Sequence, residues 1–264
     1  MRYLVFLAFN GQNFYGTQRQ KENRTIQGLF EDFLSQYYQE DIKVTIASRL
    51  DRYVNALSFA LAFSFKKERK TKEDLQYVLN RMFAPEVYVT EIVEVAEDFS
   101  PRYDCTSKTY CYLIQKPGYV NPLFSSLSYI PDCHLDIERI KEALPLFQGT
   151  HEFSSFATLE GEENTLLTID STSYSEEEGM IYLRFKGKAF LRYQVRFMVG
   201  ALLSYGNHRI EKDDILDALA GKRELIKVKA EPQGLFLEEI EYPSVMKKTD
   251  RFCSIHFYSE KKKV

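Results

Sequence analysis

Large and small side chains alternate from residue 56 to 65, with Leu57, Phe59, Leu61, Phe63 and Phe65 set against Ala56, Ser58, Ala60, Ala62 and Ser64. Successive side chains of a strand point to opposite faces, so this run predicts a strand whose large face carries a layer of helices. Other apolar runs predict strands near 2–9, 42–47, 87–96, 108–115, 165–174, 180–186 and 234–241. The pair at 165–174 and 180–186 is split by Ser175-Glu176-Glu177-Glu178-Gly179. Helical spacing appears between them. Thr25 can cap a helix with Ile26, Leu29, Phe30, Phe33, Leu34 and Tyr37 on one stripe. Thr71 caps a second with Leu75, Val78, Leu79 and Met82, ended before Pro85. A third starts at Asp136 with Ile137, Ile140, Leu144 and Phe147. A fourth, near 190–205, carries Leu191, Val195, Met198, Val199, Leu202 and Leu203, with Gly206 placed to close it, and a short fifth lies near 212–220.

The order strand, helix, strand, strand, helix, strand thus occurs twice, with one extra helix the second time. No sequence repeat accompanies it. The expected fold is α+β: two similar halves share a mainly antiparallel sheet with helices on one face, leaving the opposite face or the seam for a ligand. The expected division is 1–104, 105–246 and a polar tail over 247–264 that ends Lys261-Lys262-Lys263-Val264.

Composition narrows the class. The chain has 264 residues, enough for one large domain or two modest lobes. Hydrophobic residues make up 44 % and charged residues 28 %, the balance of a folded soluble protein. Net charge is −3, so any nucleic-acid contact must come from local basic patches: Lys66, Lys67, Arg69, Lys70 and Lys72; Lys186, Lys188, Arg192 and Arg196; Lys222, Arg223, Lys227 and Lys229. Each patch taken alone reads more readily as solvated surface. Trp is absent, but 18 Tyr and 20 Phe supply core packing and material for base stacking. Cys105, Cys111, Cys133 and Cys253 form no C-x-x-C pair and no Cys/His ligand set, which argues against zinc or a disulfide framework and for a reduced, cytoplasmic setting. The apolar start at Met1 to Phe9 is short and runs into Gly11 and Gln12, so it reads as a strand and not as a signal peptide. No apolar stretch approaches the length of a membrane span.

Nucleotide-cradling glycine loops, H-E-x-x-H and G-x-S-x-G are all missing, and the four histidines (His134, His151, His208 and His256) give few candidates for a triad or metal site. Three segments remain. Ala47-Ser48-Arg49-Leu50-Asp51-Arg52-Tyr53-Val54-Asn55-Ala56 packs two arginines and an aspartate between apolar strands; a local Arg–Asp ion pair accounts for it equally well. Arg192 and Arg196 are four apart, which would put them on one face of an otherwise apolar helix, and a buried arginine there needs an anion, either Asp51 or a phosphate. Tyr110 and Tyr112 would share a strand face, with Tyr103 ahead of them and basic residues alongside, as suits stacking on a base or ordinary strand packing.

In order and spacing these segments resemble the TruA-type pseudouridine synthases along nearly the whole chain. Tyr15-Gly16-Thr17-Gln18-Arg19-Gln20 is similar to that family's Y-G-W-Q-R-Q loop, and Thr25-Ile26-Gln27-Gly28 to the helix start after it. Ala47 to Ala56 is similar to its catalytic R-T-D-x-G-V-x-A. Lys108-Thr109-Tyr110 occupies the place of its active-site tyrosine, and Gly149-Thr150-His151-Glu152-Phe153-Ser154-Ser155-Phe156 that of its G-x-H-D/N-F-x-x-F. Phe190 to Gly200 resembles F-L-x-x-M-V-R-x-I-V-G, and Gly234-Leu235-Phe236-Leu237 the late G-L-x-L.

The resemblance implies the pseudouridine synthase fold with a catalytic cleft at the seam. It also implies isomerisation of uridine to pseudouridine in the anticodon stem-loop of tRNA, a homodimer that holds tRNA across both subunits, and no metal or organic cofactor. Carried over residue by residue, Asp51 is the catalytic carboxylate, Arg196 its ion-pair partner, and Tyr110 stacks on the uracil and assists removal of its C5 proton. Arg49 supports the extruded nucleotide, while Arg19, Arg52 and Arg192 hold phosphates. The chain departs from the pattern at Leu50 for Thr, Tyr53 for Gly, Thr17 for Trp and Asn55 for His or Ser. Tyr53 is the largest departure, because glycine there would permit a turn or leave room for RNA. The alternatives are a catalytically inactive or retargeted RNA-binding paralogue of the same fold, or an α+β enzyme acting on another nucleoside or small molecule.

Overall fold

The computed structural model describes every residue except 68–69, 133, 162–163, 226 and 244–264. The expected tail from Lys247, with Arg69, Cys133, Cys253 and His256, therefore lies outside the described residues. The first half contains β1 (Arg2–Phe9), α1 (Ile26–Tyr38), β2 (Val44–Ile46), β3 (Asn55–Ser64), α2 (Lys72–Phe83) and β4 (Val87–Val95). The second contains β5 (Ser107–Gln115), α3 (Ile137–Ala143), β6 (Gly149–Glu152), β7 (Leu166–Ile169), β8 (Ser171–Glu177), β9 (Met180–Gly187), α4 (Gln194–Gly206), α5 (Lys212–Leu219) and β10 (Leu235–Glu241). Short 3-10 turns intervene. The expected caps are in place: the Thr25 hydroxyl accepts from the Gly28 N–H, that of Thr71 from Asp74 N–H, and the Asp136 carboxylate from Glu138 and Arg139 N–H.

One eight-stranded sheet carries both halves in the order β4-β1-β3-β10-β5-β9-β8, with β2 paired to β3. All pairings are antiparallel except that of β3 with β10, where Phe236 stands opposite Asn55 and Leu237 opposite Ala56. That parallel pair is the seam. Residues directly opposite each other share a face. The row Phe9–Ala56–Leu237–Tyr110–Phe185 therefore crosses five strands on one side of the sheet. On that side Phe30 and Phe33 of α1 meet Phe83 of α2, Tyr38 of α1 stacks on Phe65, and Phe147 packs on Phe185. Helices cover one face in both halves, as expected.

The alternation in β3 needs one correction. Between the pairs Leu7–Phe59 and Phe9–Ala56, β3 spends three residues against two of β1. This bulge reverses the pleat. Phe59, Leu61 and Phe63 keep the helix side, but Leu57 joins Cys111, Leu113, Met180, Tyr182 and Phe236 in a smaller cluster on the opposite side. The expected strand at 165–174 is in fact two. β7 pairs with β6 in a separate two-stranded sheet, and the chain rejoins the main sheet at Ser171 as β8. The short β6 carries no alternation long enough to read.

Helix α4 starts at Gln194, not near 190, because Tyr193 takes a left-handed conformation (φ 63°) that breaks any helix before it. Every residue of α4 is buried. Each large apolar side chain in it, Met198 and Leu202 among them, contributes about 1.5–3 kcal/mol by leaving water. Gly206 is the last helical residue, and its role differs from that of a left-handed cap. Its bare Cα admits the chain at Leu135 and Asp136, whose N–H donates to the Gly206 carbonyl at 2.9 Å. Among the described residues no helix is long and apolar enough to cross a membrane.

Candidate active site

The segment from Ala47 to Val54, between β2 and β3, is held from both halves of the sheet. On its own side, the Thr17 hydroxyl donates to the Ser48 carbonyl (3.0 Å) and accepts from the Leu50 N–H (2.8 Å), while the Thr17 N–H donates to the Leu50 carbonyl (3.1 Å). From the other half, Lys108 on β5 donates to the Ala47 carbonyl at 3.0 Å. Leu50 is buried beneath the turn. Thr17 thus fixes the backbone at Ser48 and Leu50 through three hydrogen bonds. Gly16 sits at φ 89° with its Cα against this turn, where an added Cβ would lie 2.5 Å from the Leu50 carbonyl oxygen. Tyr53 adopts φ 70°, the conformation for which glycine is the usual residue. Its ring lies beneath the Arg52 guanidinium (4.3 Å), and the cleft wall passes from Arg52 to Val54 without it. Asn55 accepts from the Gly11 N–H (2.8 Å) and donates to the Gln233 carbonyl (2.9 Å), tying the end of the segment to the chain before β10.

Held in this way, Asp51 faces α4. Arg196, in the first turn of α4, donates from Nη1 to Asp51 Oδ2 at 3.0 Å, with Arg196 10 % and Asp51 24 % exposed. The guanidinium is itself fixed, because Nε donates to the Ala230 carbonyl at 2.8 Å. Ala230 N–H returns a bond to the Arg196 carbonyl (3.0 Å). The 228–230 segment lies this close to α4 because Gly200 has no side chain; a Cβ there would run into the Val228 carbonyl. Gly200→Ala should consequently cost about 1–3 kcal/mol by overpacking and lower activity by displacing the Ala230 carbonyl from Arg196. A melting curve and a turnover assay on the same preparation check both.

Burial pushes the Asp51 carboxyl up from the ordinary carboxylate range, while the Arg196 guanidinium and the charges of Lys229 and Arg192 pull it down. Lys229 also sits 4.0 Å over the Tyr193 ring, which Arg192 and Arg196 flank at 4.9 and 5.7 Å. Tyr110 lines the cleft next to Asp51. Burial, supplemented by the Asp51 charge, pushes its phenol up to about 12, so it is a neutral hydroxyl. Its oxygen is 3.5 Å from the Ser48 hydroxyl and its ring meets Phe190 edge to face at 4.9 Å. Burial lowers the Lys108 ammonium.

The cleft has a volume of about 750 Å³ and is lined from both sides of the seam, with Asp51, Tyr110 and Arg196 among its lining residues. That is the scale of a pocket for one small ligand and its flanking groups. Arg49, Arg52 and Arg192 line it as well. Arg52 lies over the Tyr15 ring at 4.0 Å. Arg49 and Arg192 both approach Glu160. Because Arg192 precedes α4, the expected helical pairing of Arg192 with Arg196 does not form; the two reach the cleft from a loop and a helix. Arg19 is not brought to the cleft. Its guanidinium binds Glu31 (3.0 Å) and Asp32 (2.8 Å) of α1. Arg102, Lys108 and Glu160 are charged residues of the cleft to which the sequence assigned no role, while Lys229, whose charge reaches Asp51, was named only as part of a basic patch. Only the position of Lys108, two before Tyr110 on the same strand face, gave a signal.

Sequence comparison supplies the family. The profile of the family described as "tRNA pseudouridine synthase" matches residues 6–104 and 143–243. The chain belongs to the tRNA pseudouridine synthase family. Enzymes of this family isomerise uridine to pseudouridine in tRNA. The chain is 35 % identical over 238 residues to tRNA pseudouridine synthase A of Aquifex aeolicus, covering 90 % of this chain and 98 % of that one. It is 31 % identical over 241 residues to the Thermotoga neapolitana protein of that name, covering 90 % and 98 %. For the Staphylococcus aureus (strain JH1) protein the identity is 33 % over 244 residues, covering 91 % and 90 %. Among solved structures, a chain of a Cbf5-Nop10-Gar1 complex aligns at TM-score 0.33 and 11 % identity over 76 % of this chain and 45 % of that one.

Proposed function

We propose that this cleft isomerises uridine to pseudouridine in the anticodon stem-loop of tRNA, with Asp51 as the carboxylate that acts at the ribose. The observation that carries the reading is the Asp51–Arg196 pair lining a seam cleft of nucleotide size. In the reaction the N1–C1′ bond breaks, the uracil turns, and a C5–C1′ bond forms; C5 loses a proton and N1 gains one. Asp51 either attacks C1′ or removes a proton from C2′, and both routes need it ionised. Arg196, Lys229 and Arg192 supply the field that favours ionisation against the cost of burial. Tyr110, a neutral phenol, stacks on the base and donates a hydrogen bond; taking the C5 proton would fall to another acceptor.

The uridine must leave its stack to reach Asp51. Arg49, a half-exposed lining residue of the cleft, supports the extruded strand in this reading, and Arg52 and Arg192 hold phosphates. Arg19 pairs with Glu31 and Asp32 of α1 and does not line the cleft, so no phosphate of the bound strand is assigned to it. The active species is a homodimer working in the cytoplasm, without metal or organic cofactor. An inactive RNA-binding paralogue is the less favoured reading, because it gives no reason to keep a buried carboxylate at this cost. Incubating unmodified tRNA transcripts with the protein and mapping pseudouridine tests the proposal. Product in the anticodon stem-loop supports it, and no product in any tRNA of the source organism rejects it.

A further inference from the structure

Glu160 is an acidic side chain in a cleft expected to receive a polyanion. It lies in the loop before β7 and lines the cleft. One carboxylate oxygen pairs with Nη1 of Arg192, and the other stands 3.8 Å from Nη1 of Arg49. Those arginines come from different walls: Arg49 from the turn that carries Asp51, and Arg192 from the residues just before α4. Glu160 therefore bridges the cleft between the two halves. Its loop is tied to the Arg192 wall by backbone, through Thr158 N–H to the Arg192 carbonyl at 3.1 Å, and by Lys227 Nζ to the Ala157 carbonyl at 2.8 Å.

The chemistry of the position is that of a phosphodiester site. Two guanidinium groups converge on one anion with two oxygens, the arrangement that arginine forks offer to phosphate. We infer that Glu160 holds, in the RNA-free protein, the place of a backbone phosphate next to the target uridine, and that tRNA enters by exchanging its phosphate for this carboxylate. The inference rests on the proposed tRNA reading. All three partners are about half exposed (44–59 %), so the pairs are worth little in water and the exchange is cheap. What it provides is discrimination. A tRNA that cannot present a phosphate between Arg49 and Arg192 leaves Glu160 in place and gains nothing there.

Binding of an unmodified tRNA transcript, measured across a salt series, tests this. Glu160→Gln keeps the shape and removes the competing charge. It should tighten binding about three- to ten-fold, the scale of two exposed ion pairs. The log–log salt dependence should steepen by about one, because the bound phosphate no longer has to displace a tethered anion. The double variant Arg49→Ala/Arg192→Ala provides the background that separates a local effect from a general gain in positive charge. In that background Glu160→Gln should leave binding unchanged. Unchanged or weaker binding on the wild-type background overturns the inference, and so does equal tightening on both backgrounds. If wild type itself shows no salt-dependent affinity for tRNA, the functional reading fails instead.

Discussion

Asp51→Asn is expected to abolish pseudouridine formation, with a loss of at least about a thousand-fold in single-turnover rate, while tRNA binding and the fold survive. The amide keeps the shape of the carboxylate and an oxygen for Arg196 to meet, so the guanidinium, already fixed to the Ala230 carbonyl, has no reason to move. What disappears is the charge. Neither attack at C1′ nor proton removal at C2′ can proceed from a neutral amide. The measurement is a single-turnover assay at saturating enzyme, paired with a filter-binding curve. An Asp51→Asn protein that turns over at even a tenth of the wild-type rate removes Asp51 from the chemistry and leaves the cleft without a carboxylate for the ribose.

Replacing Arg196 is expected to act on the pH dependence as well as the rate. The Asp51 carboxyl is already raised by burial, and Arg196 is the largest force pulling it down. In the proposed mechanism the ionised form acts, so the rate should fall as pH drops through the folded-state pKa. Arg196→Met takes away the downward pull and should move the acid limb of the pH–rate profile to higher pH. Breaking a largely buried pair should also lower unfolding free energy by about 3 kcal/mol. Arg196→Lys retains a charge but not the forked donor that reaches both Asp51 and Ala230, so its acid limb should fall between wild type and Arg196→Met. Identical acid limbs in all three proteins would show that Arg196 is there for packing alone. The order of limbs distinguishes an electrostatic role from a structural one, which the loss of activity by itself does not.

Most of the elements were legible in the sequence because their signals are local and repeated. Thr25 and Thr71 announce helices through caps and stripes, and β1, β3 and β5 announce themselves through apolar runs. Features set by neighbours were not. The bulge that carries Leu57 across the sheet arises from the pairing of β3 with β1, and nothing in residues 56–65 records it. The late start of α4 depends on Tyr193 adopting positive φ, which its sequence surroundings, apolar and helix-like, conceal. At the site, the Asp51–Arg196 pair was accessible because a buried arginine demands an anion and few were on offer. Lys108 and Glu160 escaped because a single charge in a strand or loop looks like any solvated residue until the fold shows what it faces. Arg19 stands apart: it sits in a family-like loop, yet its guanidinium pairs with Glu31 and Asp32 of α1 and does not line the cleft.

The parallel pairing of β3 with β10 has a consequence for how this protein matures. It joins Asn55 and Ala56 to Phe236 and Leu237, a separation of about 180 residues, so this contact cannot form until nearly all of the described chain has been made. During synthesis the first half emerges with one end of the β3 edge, at Asn55 and Ala56 beside the turn that carries Asp51, still unpaired, β2 covering the edge further along. A nascent chain at that stage has the carboxylate but lacks Arg196, Tyr110 and the opposite wall. The cleft is therefore incomplete until α4 and β10 have been made, and a partial chain that stops before them lacks both Arg196 and the seam.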